Sequence, residues 1–136
     1  MAMNAKQVAL YCAPTADDRD TWLSTMRHVA LEGRCFVLTA CQFLRKEDFP
    51  GTVRVSLGEA PESVLMRGGS AIISPLGQVL AGPVFDCEKI LTAEIDLADI
   101  ARGKYDFDVV GHYSRPDVFQ LVVNESPMPA VRVKRD

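Results

Sequence analysis

The cysteines are the strongest nucleophiles in this sequence, and the chain has four of them: Cys12, Cys35, Cys41 and Cys87. A thiol attacks electrophilic carbon when a nearby base or positive charge favours its thiolate form. Cys12 ends an apolar run beside a loop, but the sequence pairs no base with it. We therefore expect a buried structural thiol there, since a reduced cysteine in an apolar stretch packs as a small hydrophobic group. No two cysteines have C-x-x-C spacing, so neither a zinc nor a redox site is expected.

The two histidines are the side chains best suited to acid–base chemistry near neutral pH. His28 falls in the middle of a predicted helix, where surface or interface packing is the expected role. His112 lies in a Gly-His-Tyr segment close to Arg115 and Asp117. We expect Arg115 and Asp117 to form an ion pair that holds a turn, and His112 is a candidate for a functional surface.

A short segment, Thr15-Ala16-Asp17, directly follows the first predicted strand. Ligands of α/β proteins favour the carboxyl ends of the strands, which makes this segment a candidate ligand contact. The alternative is a loop that only caps the helix after it.

The elements that would position these residues follow from apolar periodicity and from the turn-forming residues between apolar runs. The spacing of Trp22, Met26 and Val29 predicts a helix over Asp20–Gly33, capped by Asp18 or Asp20. In chain order, the other predictions are a helix end at Met1–Lys6, a buried strand at Val8–Ala13, a strand covered on both faces at Cys35–Cys41, a long irregular stretch at Gln42–Arg67, a hairpin at Ser70–Gly82 with a type I turn at Ser74–Gly77, a strand at Ile90–Ile95, a short helix capped by Asp96 and ending near Lys104, and a strand at Val118–Val123.

This order predicts an α/β fold whose sheet is covered incompletely. Continuous apolar strands require cover on both faces of the sheet. The predicted helices suffice for only one face, and each exposed Val, Leu or Ile would forgo about 1.5–3 kcal/mol of burial. We therefore expect a further layer that this chain does not supply.

Composition narrows the possible partners. The 136 residues fit one domain, and 15 Lys and Arg against 18 Asp and Glu give a net charge of −3. The basic residues are scattered except for Arg132, Lys134 and Arg135 near the end, which we interpret as a solvated terminus, so no nucleic-acid partner is expected. The sequence has neither an apolar run of about 20 residues nor a signal-peptide pattern, which predicts a cytoplasmic protein without a membrane partner.

Four segments together resemble nitrilases. They are YCAPTAD at residues 11–17, RHVALEGRCFVLTAC at 27–41, GGSAIISPLGQVLAGP at 68–83 and FDVVGHYSRPDVFQLVVNE at 107–125. The third segment is typical of the carbon-nitrogen hydrolase superfamily as a whole. The GHYSRPD motif in the fourth points to its nitrile-hydrolysing branch.

The resemblance implies a four-layer α-β-β-α sandwich, of which residues 1–125 would be the C-terminal part and residues 126–136 a tail. It also implies hydrolysis of nitriles to carboxylic acids and ammonia. In that mechanism a Cys thiolate forms a thioimidate, a Glu acts as general acid and base, and a Lys stabilises the developing charge. Thr15, Ala16, Asp17 and His112 would border the substrate pocket, and Glu32 would be a structural hydrogen-bonding group.

One departure from the family pattern decides the expected role of this chain. The nucleophile of the family is a Cys followed by Trp and Glu, but the four cysteines of this chain precede Ala13, Phe36, Gln42 and Glu88. The family's Lys and Glu lie upstream of that motif. We therefore expect a truncated chain with no catalytic residue, no metal and no cofactor, which meets a nitrile substrate only in the intact enzyme and forms a homo-oligomer.

Two other interpretations stay open. The chain could be an interaction module that dimerises, or docks on a complete nitrilase, through the Trp22–Val29 helix face and the Gln42–Arg67 stretch. It could also be a truncated product without activity of its own.

Overall fold

The computed structural model describes residues 1–49, 58, 60–131 and 133. The helices are α1 (Ala2–Ala5), α2 (Asp20–Gly33) and α3 (Ala98–Asp106), and the strands are β1 (Leu10–Thr15), β2 (Phe36–Cys41), β3 (Phe43–Arg45), β4 (Val64–Ile73) and β5 (Val79–Phe85). A single 3-10 turn, Lys46–Asp48, follows β3. Within these described ranges, no helix is long and apolar enough to cross a membrane.

The five strands form one mixed sheet. β1 pairs in parallel with β2, from Leu10 opposite Phe36 to Thr15 opposite Cys41. β4 runs antiparallel to both β2 and β3, which follow each other along the chain, and β5 pairs with β4 through the predicted hairpin. The carboxyl end of β2 therefore lies beside the middle of β4, and β3 pairs with the first residues of β4.

The hydrophobic core lies between α2 and one face of the sheet. Side chains alternate across a strand, so one set of residues faces the helix. Val37 and Ile73, opposite each other on β2 and β4, have no solvent exposure and pack with Met26 and Ala30 of α2. The apolar stripe predicted for this helix is thus its buried face.

The second face of the sheet is covered only in part. Phe36 is buried, and it lines a cavity together with Leu80 and Ile95, which come from the hairpin and the segment after it. On β1, however, Leu10, Cys12 and Pro14 are exposed. The chain is therefore a mixed α/β partial sandwich, and the expectation of an incomplete α-β-β-α arrangement is confirmed.

The hairpin turn is held by the helix. The amide of Gly77 donates to the carbonyl of Ser74 at 2.9 Å, which closes the four-residue turn. Arg27 Nε donates to the carbonyl of Gly77 at 2.9 Å. Gly77 has φ +73°, and a Cβ there would lie 2.9 Å from Leu31, so both the backbone angle and the close helix favour glycine.

Two predicted strands are wrong. Residues 90–95 and 118–123 are both described, and neither is assigned to a strand or paired in the sheet. Two of these residues border the partly covered face, since Leu91 lines a cavity with Leu38 and Ile95 lines one with Phe36. The Gln42–Arg67 stretch, predicted to be irregular, contains β3 and the first residues of β4, while its residues 50–57 and 59 lie outside the described part.

Two finer predictions also fail. Neither Asp18 nor Asp20 caps α2, because the N-cap residue is Arg19 and it makes no side-chain capping bond. The two carboxylates bond Arg67 instead. Cys12, predicted to be buried, is exposed because it points to the uncovered face of β1. Cys35 and Cys41 are buried, as their apolar surroundings predict.

Candidate functional site

A cleft of about 430 Å³ opens at the carboxyl ends of β1 and β2. This is the edge of an α/β sheet where ligands are usually bound. Its lining residues come from five places in the chain and are Pro14, Thr15, Ala40, Cys41, Gln42, Phe43, Ser70, Val84, Cys87, Glu88 and Lys89.

The first wall is the end of β1 and the loop after it. The Thr15 hydroxyl accepts a hydrogen bond from the amide of Asp17 at 2.9 Å, which folds the loop back on the strand end. The Asp17 carboxylate accepts from the Arg19 side chain and, at 3.1 Å, from its amide. Hydrogen bonds from Arg19 lower the pKa of Asp17 to about 2, so this carboxylate stays ionised. Thr15 lines the cleft, whereas Ala16 and Asp17 do not.

The floor is the end of β2. The amide of Cys41 donates to the Ser70 hydroxyl, which in turn donates to the Cys41 carbonyl, both at 3.0 Å. Burial raises the pKa of the Cys41 thiol, and the carboxylates of Asp18 and Asp17 raise it further. The thiol is therefore held protonated, which is the opposite of what an activated nucleophile needs.

The second wall follows β5. Asp86 has φ +60°, and this left-handed turn directs Cys87, Glu88 and Lys89 along the cleft. Cys87 is exposed, and it also lines an adjoining cavity with Arg45 and Asp48. No local signal in the sequence groups this wall with Thr15, because the residues are about 70 positions apart and only strand pairing brings them together.

His112 lies away from this cleft. It stacks edge-on against Tyr113 at 4.9 Å, and Tyr113 stacks on Phe107 at 4.8 Å. Phe107 accepts a hydrogen bond from Arg34, just beyond the last residue of α2. His112 is not among the residues that line the cleft, and Thr15 precedes the first residue of α2, whereas Arg34 follows its last residue. The structure therefore does not bring His112 to the Thr15 loop within this chain.

The other candidate residues have local partners. Arg115 and Asp117 form the expected ion pair, with nitrogen–oxygen distances of 2.8 and 2.6 Å. His28 lies 3.5 Å from Glu32 on the exposed side of α2. Among the residues described, no group of three or more His, Cys, Asp or Glu side chains could hold a metal ion.

Comparison with known proteins gives this geometry a context. The sequence profile of the carbon-nitrogen hydrolase family matches residues 1–105. A nitrilase of Bradyrhizobium diazoefficiens is 64% identical over 131 residues, which are 96% of this chain and 41% of that protein. An aliphatic nitrilase of Sinorhizobium fredii is 62% identical over 130 residues, 96% of this chain and 42% of its own length. The chain thus spans about two fifths of the curated relatives that it matches.

The fold has a counterpart among solved structures. A carbon-nitrogen hydrolase from Helicobacter pylori superposes with a TM-score of 0.58 at 19% identity, covering 78% of this chain and 38% of that one. At this identity the likeness concerns the fold alone. It places the mixed sheet and its helices within a larger α/β sandwich.

Proposed function

The chain belongs to the carbon-nitrogen hydrolase family, and we propose that it is the C-terminal part of a nitrilase whose intact form hydrolyses nitriles to carboxylic acids and ammonia. The observation that carries this proposal is the cleft at the carboxyl ends of β1 and β2, in a chain 64% identical to a nitrilase. In the proposed enzyme, upstream residues supply the Cys, Glu and Lys that do the chemistry. This chain supplies one side of the substrate pocket.

The electrostatics of the cleft support a lining role. Its most buried thiol, Cys41, is kept neutral by burial and by nearby carboxylates, so it does not compete as a nucleophile. Thr15, Gln42 and Lys89 provide a hydroxyl, an amide and an ammonium group beside the apolar Val84. The lining also includes the carboxylate of Glu88, and polar groups of this kind can orient a small organic substrate.

A chimera tests the proposal. The 131 matching residues of the Bradyrhizobium diazoefficiens nitrilase are replaced by this chain, and ammonia release from aliphatic and aromatic nitriles is measured. We expect the chimera to release ammonia and the chain alone to release none. A folded but inactive chimera would contradict the proposal. Ammonia release by the chain alone, abolished in the Cys12→Ala variant, would contradict the assignment of the chemistry to upstream residues.

A second function, self-association into a homo-oligomer, is favoured by the exposed apolar surface. Leu10 on β1 is 46% exposed, and Phe119 and Val122 in the C-terminal segment are 79% and 84% exposed. Large apolar side chains with this much exposure, on β1 and in the C-terminal segment, favour an interaction surface. Light scattering coupled to size-exclusion chromatography should find a species larger than a monomer. The Leu10→Lys variant should shift it towards monomer, and a monodisperse wild-type monomer would contradict this function.

A further inference from the structure

Arg67 does not line the cleft, but it contacts the segments that adjoin both of its walls. It lies near the start of β4, paired with Phe43 of β3, which forms part of the floor. Its backbone bonds a residue beside each wall of the cleft, and its guanidinium also contacts a residue beside each wall. No signal in the sequence marks Arg67 as part of the site.

The first wall is tied to Arg67 by two carboxylates. The amide of Arg67 donates to Asp18 Oδ2 at 3.1 Å, and its guanidinium donates to Asp20 Oδ1 at 3.3 Å. Asp18 directly follows the Thr15–Asp17 loop, and Asp20 is the first residue of α2. These bonds therefore fix the far end of that loop to β4.

The second wall is tied to the same residue. The amide of Asp86 donates to the carbonyl of Arg67 at 2.7 Å. The guanidinium lies over the ring of Phe85, 4.1 Å from its centroid, within the range of a cation–π contact. Phe85 also packs against Gly69, where a Cβ would lie 2.9 Å from the ring. Asp86 then directs Cys87–Lys89 along the cleft.

We propose that Arg67 is a positioning residue that sets the separation of the two cleft walls by joining the Asp18–Asp20 segment to the Phe85–Asp86 turn. The inference rests on the proposed function, in which this cleft forms part of the substrate pocket. Arg67 touches no substrate and acts through the wall residues that it holds.

The side chain carries the part of this role that can be tested by mutation. The backbone bonds do not depend on the side chain: any residue at position 67 can accept from the Asp86 amide, and any residue except proline can donate to Asp18. The ion pair with Asp20 is weak, because the Arg67 and Asp20 side chains are 40% and 80% exposed. The cation–π contact with the Phe85 ring, at 4.1 Å from the guanidinium carbon to the ring centroid, is one that lysine reproduces poorly.

Amide hydrogen exchange of the full chain, followed by NMR, tests the proposal directly. In Arg67→Leu we expect exchange at the amides of residues 67 and 86 to accelerate roughly tenfold, because local opening of the walls becomes easier. Exchange at Val37, in the central strand, should stay unchanged. Arg67→Lys should give a smaller acceleration at the same amides, and Asp20→Asn the smallest.

Arg115→Leu is the matched control, since it removes an arginine from a similar exposed ion pair outside the cleft. It should leave the amides of residues 67 and 86 unchanged. Unaltered exchange at these amides in Arg67→Leu would overturn the proposal. So would an equal acceleration at Val37, which would mean that Arg67 only stabilises the whole fold. If Arg67→Leu does not fold, Arg67→Lys is judged by the same two criteria.

The chimeric nitrilase separates this inference from the proposed function. In it, Arg67→Leu should raise KM roughly tenfold and leave kcat within about threefold, because misplaced walls weaken binding more than chemistry. A fall in kcat with unchanged KM would overturn the positioning role. If the chimera with the wild-type chain is inactive, the proposed function fails, and hydrogen exchange alone still decides the role of Arg67.

Discussion

The hydroxyl of Ser70 bonds both backbone groups of Cys41, accepting from its amide and donating to its carbonyl at 3.0 Å each. Regular pairing with β4 ends at Thr39 of β2 and resumes at Phe43 of β3. Ser70 thus satisfies the backbone at the interruption between the two strands. Because Cys41 is buried and lines the cleft, this serine also shapes the cleft floor.

Ser70→Ala should lower the free energy of unfolding by about 1–3 kcal/mol, because it leaves a buried amide and carbonyl without partners. Urea unfolding followed by circular dichroism measures the change. Ser114→Ala is the matched control, since the Ser114 hydroxyl also donates to a backbone carbonyl, that of Gly111 at 2.7 Å, but is exposed. A loss in Ser70→Ala no larger than in Ser114→Ala would contradict the bridging role of this serine.

The indole of Trp22 donates to the Thr39 hydroxyl at 2.8 Å and joins α2 to β2. Thr39→Val should cost about 1–3 kcal/mol of unfolding free energy, because the indole N–H loses its partner in the core. Trp22→Phe combined with Thr39→Val should cost less than the sum of the two single variants, since both polar groups are then gone. Chemical denaturation of the wild type, the two single variants and the double variant measures the coupling free energy between the two side chains. Strictly additive losses of unfolding free energy would count against the bond.

Stability should fall in alkaline solution because of two buried thiols. Burial raises the pKa of both Cys35 and Cys41 above the ordinary 9.0. The folded state therefore holds protons that the unfolded state releases, so the contribution is complete below pH 9 and is lost as the pH rises towards the folded pKa values. Thermal unfolding between pH 8 and 11 should give a steeper decline for the wild type than for the Cys35→Ala variant. Parallel curves would be the contrary result.

The same burial predicts which thiols react. A disulfide reagent at neutral pH should label the exposed Cys12 and Cys87 rapidly and the buried Cys35 and Cys41 only after denaturation. Mass spectrometry of the labelled peptides identifies the sites. Rapid labelling of Cys41 in the folded chain would mean that the cleft floor is open and that its thiol is not held protonated.

The Asp17 carboxylate should titrate near pH 2, as the hydrogen bonds from Arg19 dictate. Arg19→Met should move its pKa back towards the ordinary 3.8, though not all the way, because the residue 19 amide still donates to it. The Asp17–Arg19 pair therefore stabilises the loop fully at pH values above the ordinary carboxyl pKa of 3.8, and this stabilisation is lost as the pH falls towards 2. Carbon-detected NMR titration follows the carboxyl, and an unchanged pKa in Arg19→Met would show that the Arg19 side chain is not the cause.

The sequence alone determined the elements whose signals are local. The stripe of Trp22, Met26 and Val29 predicted α2 with its observed bounds, and the Ser74–Gly77 turn predicted the hairpin. Spacing within a helix and the angles of a turn depend on neighbouring residues only, so they can be read from a short window. The family resemblance then supplied the larger sandwich, which the family match and the structural superposition support.

Only the tertiary structure decided which extended segments become strands and which residues share the cleft. Ile90–Ile95 and Val118–Val123 have apolar strand-like sequences but pair with no strand of the sheet within the described chain. Cys12 has the sequence surroundings of a buried thiol, yet its face of β1 has no cover. Whether a segment pairs as a strand, and whether a face of the sheet is covered, depends on residues far away in the sequence. For the same reason only the folded sheet brings Thr15, Ser70 and Lys89 to one cleft, and only there does Arg67 bond both Asp18 and Asp86.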